Sequence, residues 1–170
     1  MSTQDEGLSA QETQQLLTTL AAIRQGDFSQ QMSSGQSGIA GAVAESVNAL
    51  SQQLQTFAVD ASRLAAATGA EGNLGAQMST AGAEGTWKDL ADNLNHMSLI
   101  LAAQVRDITR VAGAVAEGDL SQQVNVAARG EMAELKDTFN SMIAQLEILK
   151  DSVKKLMEQV SQMSANPGQN

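Results

Sequence analysis

A segment that recurs at intervals of 46 residues determines the architecture expected of this chain. Its three copies begin with the tripeptides Gly26-Asp27-Phe28, Gly72-Asn73-Leu74 and Gly118-Asp119-Leu120. Every copy continues with a glutamine five positions after the glycine and an apolar residue six positions after it. Several residue types at equal spacing predict a tandem array of one structural unit instead of a single undivided domain.

Each copy is predicted to contain two helices joined by a long connector. Apolar residues before the first glycine follow helical spacing, and a glycine after such a stripe typically ends a helix. A second glycine, Gly38, Gly85 or Gly130, opens another helical pattern 12 or 13 residues later. A connector of that length can return along the first helix, so the two helices are expected to lie parallel. The expected packing anchors of the connectors are Phe28, Met32, Leu74, Met78, Leu120 and Val124.

The helices after the connectors carry coiled-coil spacing. From Met132 to Met163 apolar residues alternate at steps of three and four, as in the seam of a left-handed coiled coil. The stripe of the second repeat has an irregular step of four between Leu101 and Val105, which predicts a stutter at the junction with the third repeat. No turn signal lies between Trp87 and Glu117, so the second helix of the second repeat is expected to continue directly into the first helix of the third. The expected dimer seam comprises Leu135, Phe139, Met142, Leu146, Leu149, Val153 and Leu156.

The composition favours an all-α protein. Aromatic residues make up 2% of the chain, and its one proline, Pro167, lies near the C-terminus. The apolar residues are mainly Ala, Leu, Val, Met and Ile, which favours long helices over a sheet-based enzyme. Two parallel helices with narrow apolar stripes bury little surface, so two chains are expected to form a parallel four-helix bundle as a homodimer.

Charge and residue usage exclude several classes of protein. The chain has 10 basic and 19 acidic residues, with no basic cluster long enough to follow a nucleic-acid backbone. It has no cysteine and one histidine, so neither a metal site nor another cofactor is expected. The longest apolar stretch, near 97–103, is too short to span a membrane, and residues 1–8 do not resemble a signal peptide. These features predict a cytoplasmic protein.

Three motifs of the third repeat resemble the HAMP domain, the dimeric parallel four-helix linker of bacterial signalling proteins. They are Gly118-Asp119-Leu120, Gly130–Leu135 and Phe139-Asn140-Ser141-Met142. The second repeat, at Gly85–Leu90, is similar to the linked HAMP arrays of cytosolic hybrid histidine kinases. The resemblance implies that Glu131 steadies its connector at the start of the second helix. It also implies that the domain transmits changes of helix packing.

Three HAMP-like repeats account for nearly the whole chain. We expect a divergent repeat at 8–56, a second at 57–102 and a third at 103–150, followed by a coiled-coil extension at 151–163 and a disordered tail at 164–170. The resemblance implies a non-catalytic relay in a two-component or chemosensory-type system. Its implied partner is a downstream histidine kinase or another signalling protein.

Two other functions remain open on the sequence. A passive dimeric scaffold would need the same bundle without any switching. A histidine phosphotransfer protein would use His96, but Met97 follows this residue where a phosphoaccepting histidine is normally followed by an acidic one. A position on the helix surface is therefore the preferred interpretation of His96. Trp87, the one bulky residue at a helix start, is expected to pack against the second connector.

Overall fold

Four helices follow one another along the chain. The computed structural model describes residues 7–33 and 37–165. The helices are α1 (Ala10–Arg24), α2 (Gly38–Gly69), α3 (Gly85–Ala116) and α4 (Glu131–Ala165). The described residues contain no strand, so the predicted all-α class is confirmed. We call the segments between successive helices the first, middle and third connectors.

The last three helices are long and uninterrupted. Both α2 and α3 contain 32 residues and α4 contains 35. The continuous helix expected after Trp87 is therefore present, and it includes Leu101 and Val105. Helix α4 also includes Ser164 and Ala165, which the sequence pattern assigned to a tail. The remainder of that tail and most of the N-terminal segment examined for a signal peptide lie outside the described residues.

Local hydrogen bonds determine where the helices begin and end. Helix α1 starts with a capping box, in which the backbone N–H of Glu12 donates to Ser9 Oγ and the N–H of Ser9 donates to the Glu12 carboxylate. Helices α1 and α3 end two residues before Gly26 and Gly118, whose φ angles are 83° and 85°. These glycines and the residues after them donate to carbonyls three and five positions back, at 2.9–3.0 Å. Glycine reaches this left-handed conformation without a steric penalty, so it stops both helices in the same way.

The chain divides into two compact units between Ala91 and Asp92. The first unit contains α1, α2 and the start of α3, and the second contains the rest of α3 and α4. The core of the second unit consists of Val111, Val124 and Ile143, one residue each from α3, the third connector and α4. Because the connector supplies one of these three residues, it is part of the core and not a surface loop.

The first unit has a core of mostly small side chains. Its helices α1 and α2 are in contact, and Met32 of the first connector is buried. Two of the buried residues are polar, Thr19 of α1 and Ser51 of α2. The buried apolar residues are Met32, Ala40, Ala44, Leu64, Ala67, Met78 and Ala91.

The described residues contain neither a membrane-spanning helix nor a metal-binding cluster. Among residues 7–33 and 37–165, none of the helices combines the length and apolar character that crossing a bilayer requires. Within the same residues, no three His, Cys, Asp or Glu side chains lie together in a way that could hold a metal ion.

Candidate functional site

One asparagine fixes the third connector to α4. The Oδ1 atom of Asn140 accepts a hydrogen bond from Val124 N at 2.9 Å, and its Nδ2 donates to Val124 O at 3.1 Å. Val124 is fully buried, so its backbone polar groups need a protein partner in place of water. Asn140 supplies both a donor and an acceptor, which an amide side chain alone can do in this geometry. We call this arrangement the asparagine clasp.

The first connector is held by the same clasp. Asn48 Oδ1 accepts from Met32 N at 2.8 Å, and Asn48 Nδ2 donates to Met32 O at 2.9 Å. In both cases the asparagine lies 16 residues after its partner. The two connectors thus adopt the same position against the following helix, although the residues that they bury are a methionine and a valine.

An acidic residue fixes the opposite side of the third connector to α3. Asp107 Oδ2 accepts from the backbone N–H groups of Asn125 and Val126 at 2.8 and 2.9 Å, while Oδ1 accepts from Arg110 Nη2 at 2.8 Å. Arg110 also donates to Gln123 O at 3.3 Å. The hydrogen bond from Arg110, followed by those from Val126 and Asn125, lowers the pKa of Asp107 from its ordinary value of 3.8. These bonds favour the ionised carboxylate, which is the form that holds the connector.

We expect replacement of Asp107 by asparagine to weaken the third connector at neutral pH, because an amide has one acceptor oxygen where the carboxylate has two. The thermal midpoint should fall by about 3 °C at pH 7. A carboxyl whose folded pKa is lowered stabilises the protein above its unfolded pKa, and this stability is lost as the pH falls through the folded pKa. The difference between parent and variant should therefore be complete above about pH 5 and shrink below pH 3.8.

Thermal melting followed by circular dichroism between pH 2.5 and 7 measures this effect. The matched control is Asp137→Asn, at an exposed position of α4. An equal loss in both variants, or a loss in Asp107→Asn that does not change with pH, would contradict the assigned role.

Three further side chains bond to carbonyl oxygens of the third connector. Gln104 Nε2 donates to Ala127 O at 3.2 Å, and Lys136 Nζ donates to Val126 O at 3.2 Å. Lys150 Nζ approaches Gly118 O at 3.4 Å. Because the donors lie on both α3 and α4, the connector is joined to each helix along its length.

A second motif, Gly-Asp-x-Ser, shapes the starts of the first and third connectors. Asp119 Oδ1 accepts from Ser121 N at 2.9 Å and from Ser121 Oγ at 2.6 Å, and Asp27 bonds Ser29 in the same way at 3.0 and 2.6 Å. The hydroxyl bond is the main cause that lowers the pKa of both aspartates. The middle connector has Asn73 and Gly75 at these positions, so it cannot form this turn.

The predicted connector anchors are buried or half-buried in the structure. Met32, Met78 and Val124, six positions after the connector glycines, are buried. Phe28, Leu74 and Leu120, two positions after them, are half-buried, and Leu120 packs against the core of the second unit. Glu131 begins α4 as expected, but within the described residues its side chain makes no hydrogen bond or ion pair, so here Asn140, Asp107 and Lys136 hold the connector.

The residues expected at the dimer seam line a mostly exposed stripe of α4. Phe139 and Leu146 are half-buried, and Phe139 packs against the core of the second unit. At the expected stutter, Leu101 is half-buried and Val105 is exposed. The other five seam residues are 41–60% exposed: Leu135, Met142, Leu149, Val153 and Leu156.

The asparagine clasp, and the acidic clamp that Asp107 and Arg110 form on the third connector, were not among the site residues predicted from the sequence, although Asn140 lies in a motif that resembles the HAMP domain. Asn48, Asn95 and Asn140 recur at the same offset from the second glycine, and this recurrence was the available signal for the clasp. Asp107 and Arg110 are separated by one helical turn, a spacing that also occurs in many exposed ion pairs. His96 is exposed on α3, as expected for a position on the helix surface.

The segment that contains the clasp and the clamp identifies the domain. Residues 97–148 match the family model of the HAMP domain. This segment is a HAMP domain. It contains Asp107, the third connector and Asn140, so the features that fix this connector lie inside the HAMP domain. The resemblance expected for the third repeat is thereby confirmed.

A curated protein is similar to this chain over a longer stretch than the HAMP domain. The methyl-accepting chemotaxis protein McpB of Pseudomonas aeruginosa is 28% identical over 92 residues. The match covers 54% of this chain but only 14% of McpB, so the chain spans a small part of that relative. No solved structure matches this chain.

Proposed function

We propose that the chain is a non-catalytic signal relay that passes changes of helix packing through stacked, dimeric HAMP-like repeats. The repeats are placed at 8–56, 57–102 and 103–150, with the coiled-coil extension at 151–163. The HAMP domain at residues 97–148 supports the relay function. The asparagine clasp occurs at Asn48 and again at Asn140, which supports the tandem arrangement. In both cases the side-chain amide of the asparagine bonds the backbone N–H and C=O of one connector residue.

The exposed apolar stripe of α4 supports a parallel homodimer. Beyond the second unit's core, Leu149, Val153 and Leu156 are 60%, 47% and 59% exposed in one chain. Their steps of four and three are those of coiled-coil seam positions, which are buried when a second helix packs against them. A row of exposed leucine and valine side chains is otherwise unfavourable on a monomer.

The attachment of each connector suggests how packing changes travel. Asp107 holds the third connector to α3 and Asn140 holds the same connector to α4. A rotation or shift of α3 must therefore move the connector and change the forces on α4, unless one of these bonds breaks. Transmission then requires two arrangements of similar free energy, which a bundle of small, interdigitated side chains can provide.

The partner of this relay is proposed to be a downstream histidine kinase or another signalling protein. The similarity to a methyl-accepting chemotaxis protein supports a two-component or chemosensory-type system. The proposed location is cytoplasmic.

Disulfide cross-linking tests the dimer, because the chain has no cysteine of its own. We expect Val153→Cys to form a disulfide between identical positions of two chains under mild oxidation. Asp151→Cys, on the opposite side of α4, is the control and should cross-link at most about one tenth as fast. Equal rates at both positions, or a monomer in sedimentation, would refute the parallel dimer.

The same assay distinguishes a relay from a passive scaffold. Asn48→Ala removes the clasp of the first repeat, far along the sequence from residue 153. In a relay, this change should alter the cross-linking rate of Val153→Cys several-fold while the chain stays dimeric. An unchanged rate in a dimeric, helical variant would favour the scaffold.

A further inference from the structure

The middle connector and helices α2 and α3 enclose a groove that the proposed relay does not use. Its volume is about 580 Å³, and all of its lining residues belong to the first compact unit. This volume lies within the range of about 300–1,000 Å³ that is usual for small-molecule sites. The described part of the chain thus contains a cavity of suitable size in a connector that differs from the other two.

Two aromatic rings form part of the groove wall. Phe57 and Trp87 have ring centroids 5.4 Å apart and an interplanar angle of 60°, an edge-to-face pair. Both side chains are half-buried and both line the groove. The positions equivalent to Trp87, two residues after the second glycine of the other repeats, hold Ala40 and Met132. The aromatic wall is therefore particular to the middle connector.

Both charged residues in the lining of the groove are acidic. Asp60 and Glu84 are its charged lining residues, and no Lys, Arg or His belongs to the lining. The amide side chains of Gln52 and Gln53 also line it, and their oxygens can accept hydrogen bonds. The whole chain carries a formal net charge of −9, which further favours the approach of cations.

Asp60 and Asp107 have similar sequence surroundings but different hydrogen-bond partners. Each aspartate is followed three residues later by an arginine, and both arginines donate to the carbonyl of the connector glutamine, at 3.1 Å for Arg63 and 3.3 Å for Arg110. Asp107 accepts hydrogen bonds from two backbone N–H groups of its connector. Among the described residues, Asp60 instead accepts a hydrogen bond from the side chain of Arg63 at 3.4 Å. The middle connector is one residue longer than the others, and Asp60 lines the groove while its carboxylate pairs with Arg63.

We propose that this groove binds a small organic cation with an apolar body, such as a protonated amine or a quaternary ammonium compound. The ammonium group interacts with the Asp60 carboxylate and with the face of Trp87, since a cation within about 6 Å of an indole ring is attracted by its negative face. Phe57 and Met78 contact the apolar body, and Gln52 and Gln53 accept N–H bonds where the cation has them. This site requires neither the dimer nor the relay.

Trp87 is a built-in reporter, because the chain has one tryptophan and no tyrosine. The full chain is titrated with 2-phenylethylammonium at pH 7 and its tryptophan emission is recorded. 2-Phenylethanol serves as a neutral ligand of nearly equal shape. The expected result is a saturable change with the ammonium compound and an affinity at least about tenfold lower for the alcohol. No saturable change, or equal affinity for both compounds, would overturn the proposal.

Two substitutions locate the charge contact. Asp60→Asn should weaken 2-phenylethylammonium binding about tenfold, whereas Asp89→Asn, at an exposed position of α3 outside the groove, should leave it unchanged. Glu84→Gln provides a second test and should weaken binding two- to threefold, about the effect expected of a more exposed charge. Circular dichroism confirms that each variant keeps the parent helicity. If folded Asp60→Asn and Glu84→Gln both bind as well as Asp89→Asn, the cation site is refuted, and the relay proposal is unaffected.

Discussion

Replacing Ile143 with serine should destabilise the HAMP domain by about 3–5 kcal/mol, because the change removes a buried aliphatic side chain and adds a buried hydroxyl. Ile143 is 2% exposed and contacts the core formed with Val111 and Val124. The remaining cavity would adjoin the connector and both helices, so the loss should affect the connector first. Exchange of the Val124 amide with deuterium, together with urea unfolding, measures the effect.

The first repeat offers the matched position for this experiment. Ser51 lies 13 residues after Gly38, as Ile143 lies 13 residues after Gly130, and it is also completely buried. Its hydroxyl has no hydrogen-bond partner within the described residues. Ser51→Ala should therefore leave the free energy of unfolding unchanged or raise it by about 1 kcal/mol. If Ile143→Ser costs less than Ser51→Ala, the assignment of equivalent core positions is wrong.

These equivalent positions indicate repeats of unequal stability. At equivalent positions of the two repeats, the first helix buries Thr19 or Val111 and the second helix buries Ser51 or Ile143. The third repeat therefore buries aliphatic side chains where the first buries hydroxyl groups. Since burial of an aliphatic side chain contributes about 1.5–3 kcal/mol, we expect the first repeat to open at lower urea concentrations than the third.

The helices and connector anchors were predictable because their signals are local. A glycine after an apolar stripe stops a helix through its own backbone conformation, as Gly26 and Gly118 do. The apolar residue six positions later is buried in all three connectors, since each connector returns along its helix with this side chain inward. The absence of proline and of a turn signal similarly predicted the length of α3.

The polar contacts were less predictable, because they depend on the path of the connector. Asp60-x-x-Arg63 and Asp107-x-x-Arg110 have the same sequence pattern, yet only Asp107 bonds the connector N–H groups. The difference arises at the end of α2, where Asn73 N–H donates to Ala67 O at 2.8 Å. The middle connector therefore begins along a different path, and it is also one residue longer. The Asp-x-x-Arg pattern itself indicates neither the path of the connector nor its length.

The middle repeat also differs from the third in the position of the apolar stripe of its first helix. Leu64 is the largest buried side chain of that helix, which also buries Ala67. It lies eight residues before its connector glycine, whereas Val111 of the third repeat lies seven residues before its own. Helix α2 continues to Gly69, and an additional residue separates its last turn from Gly72. The spacing seen in the third repeat, seven residues before the glycine, would therefore place the buried residue at position 65 instead of 64.

Replacing Asn140 with alanine should be the most damaging polar substitution in the HAMP domain. The change leaves the buried N–H and C=O groups of Val124 without partners, at a cost of about 2–4 kcal/mol for the pair. Asn140 is on α4 and Val124 is on the connector, so the helices themselves lose no backbone hydrogen bond. We therefore expect nearly unchanged helicity but an increase of about tenfold or more in the exchange rate of the Val124 amide.

Asn93→Ala, at an exposed position of α3, is the matched control and should change the free energy of unfolding by less than about 0.5 kcal/mol. Asn140→Asp separates the two halves of the clasp, because a carboxylate can accept from Val124 N but cannot donate to Val124 O. Above pH 6 its stability should lie between those of the parent and Asn140→Ala. It keeps the hydrogen bond from Val124 N, but its second carboxylate oxygen repels Val124 O. Should Asn140→Ala match Asn93→Ala in both exchange and urea unfolding, the connector is held by its apolar anchors alone, and the clasp cannot be what couples it to α4.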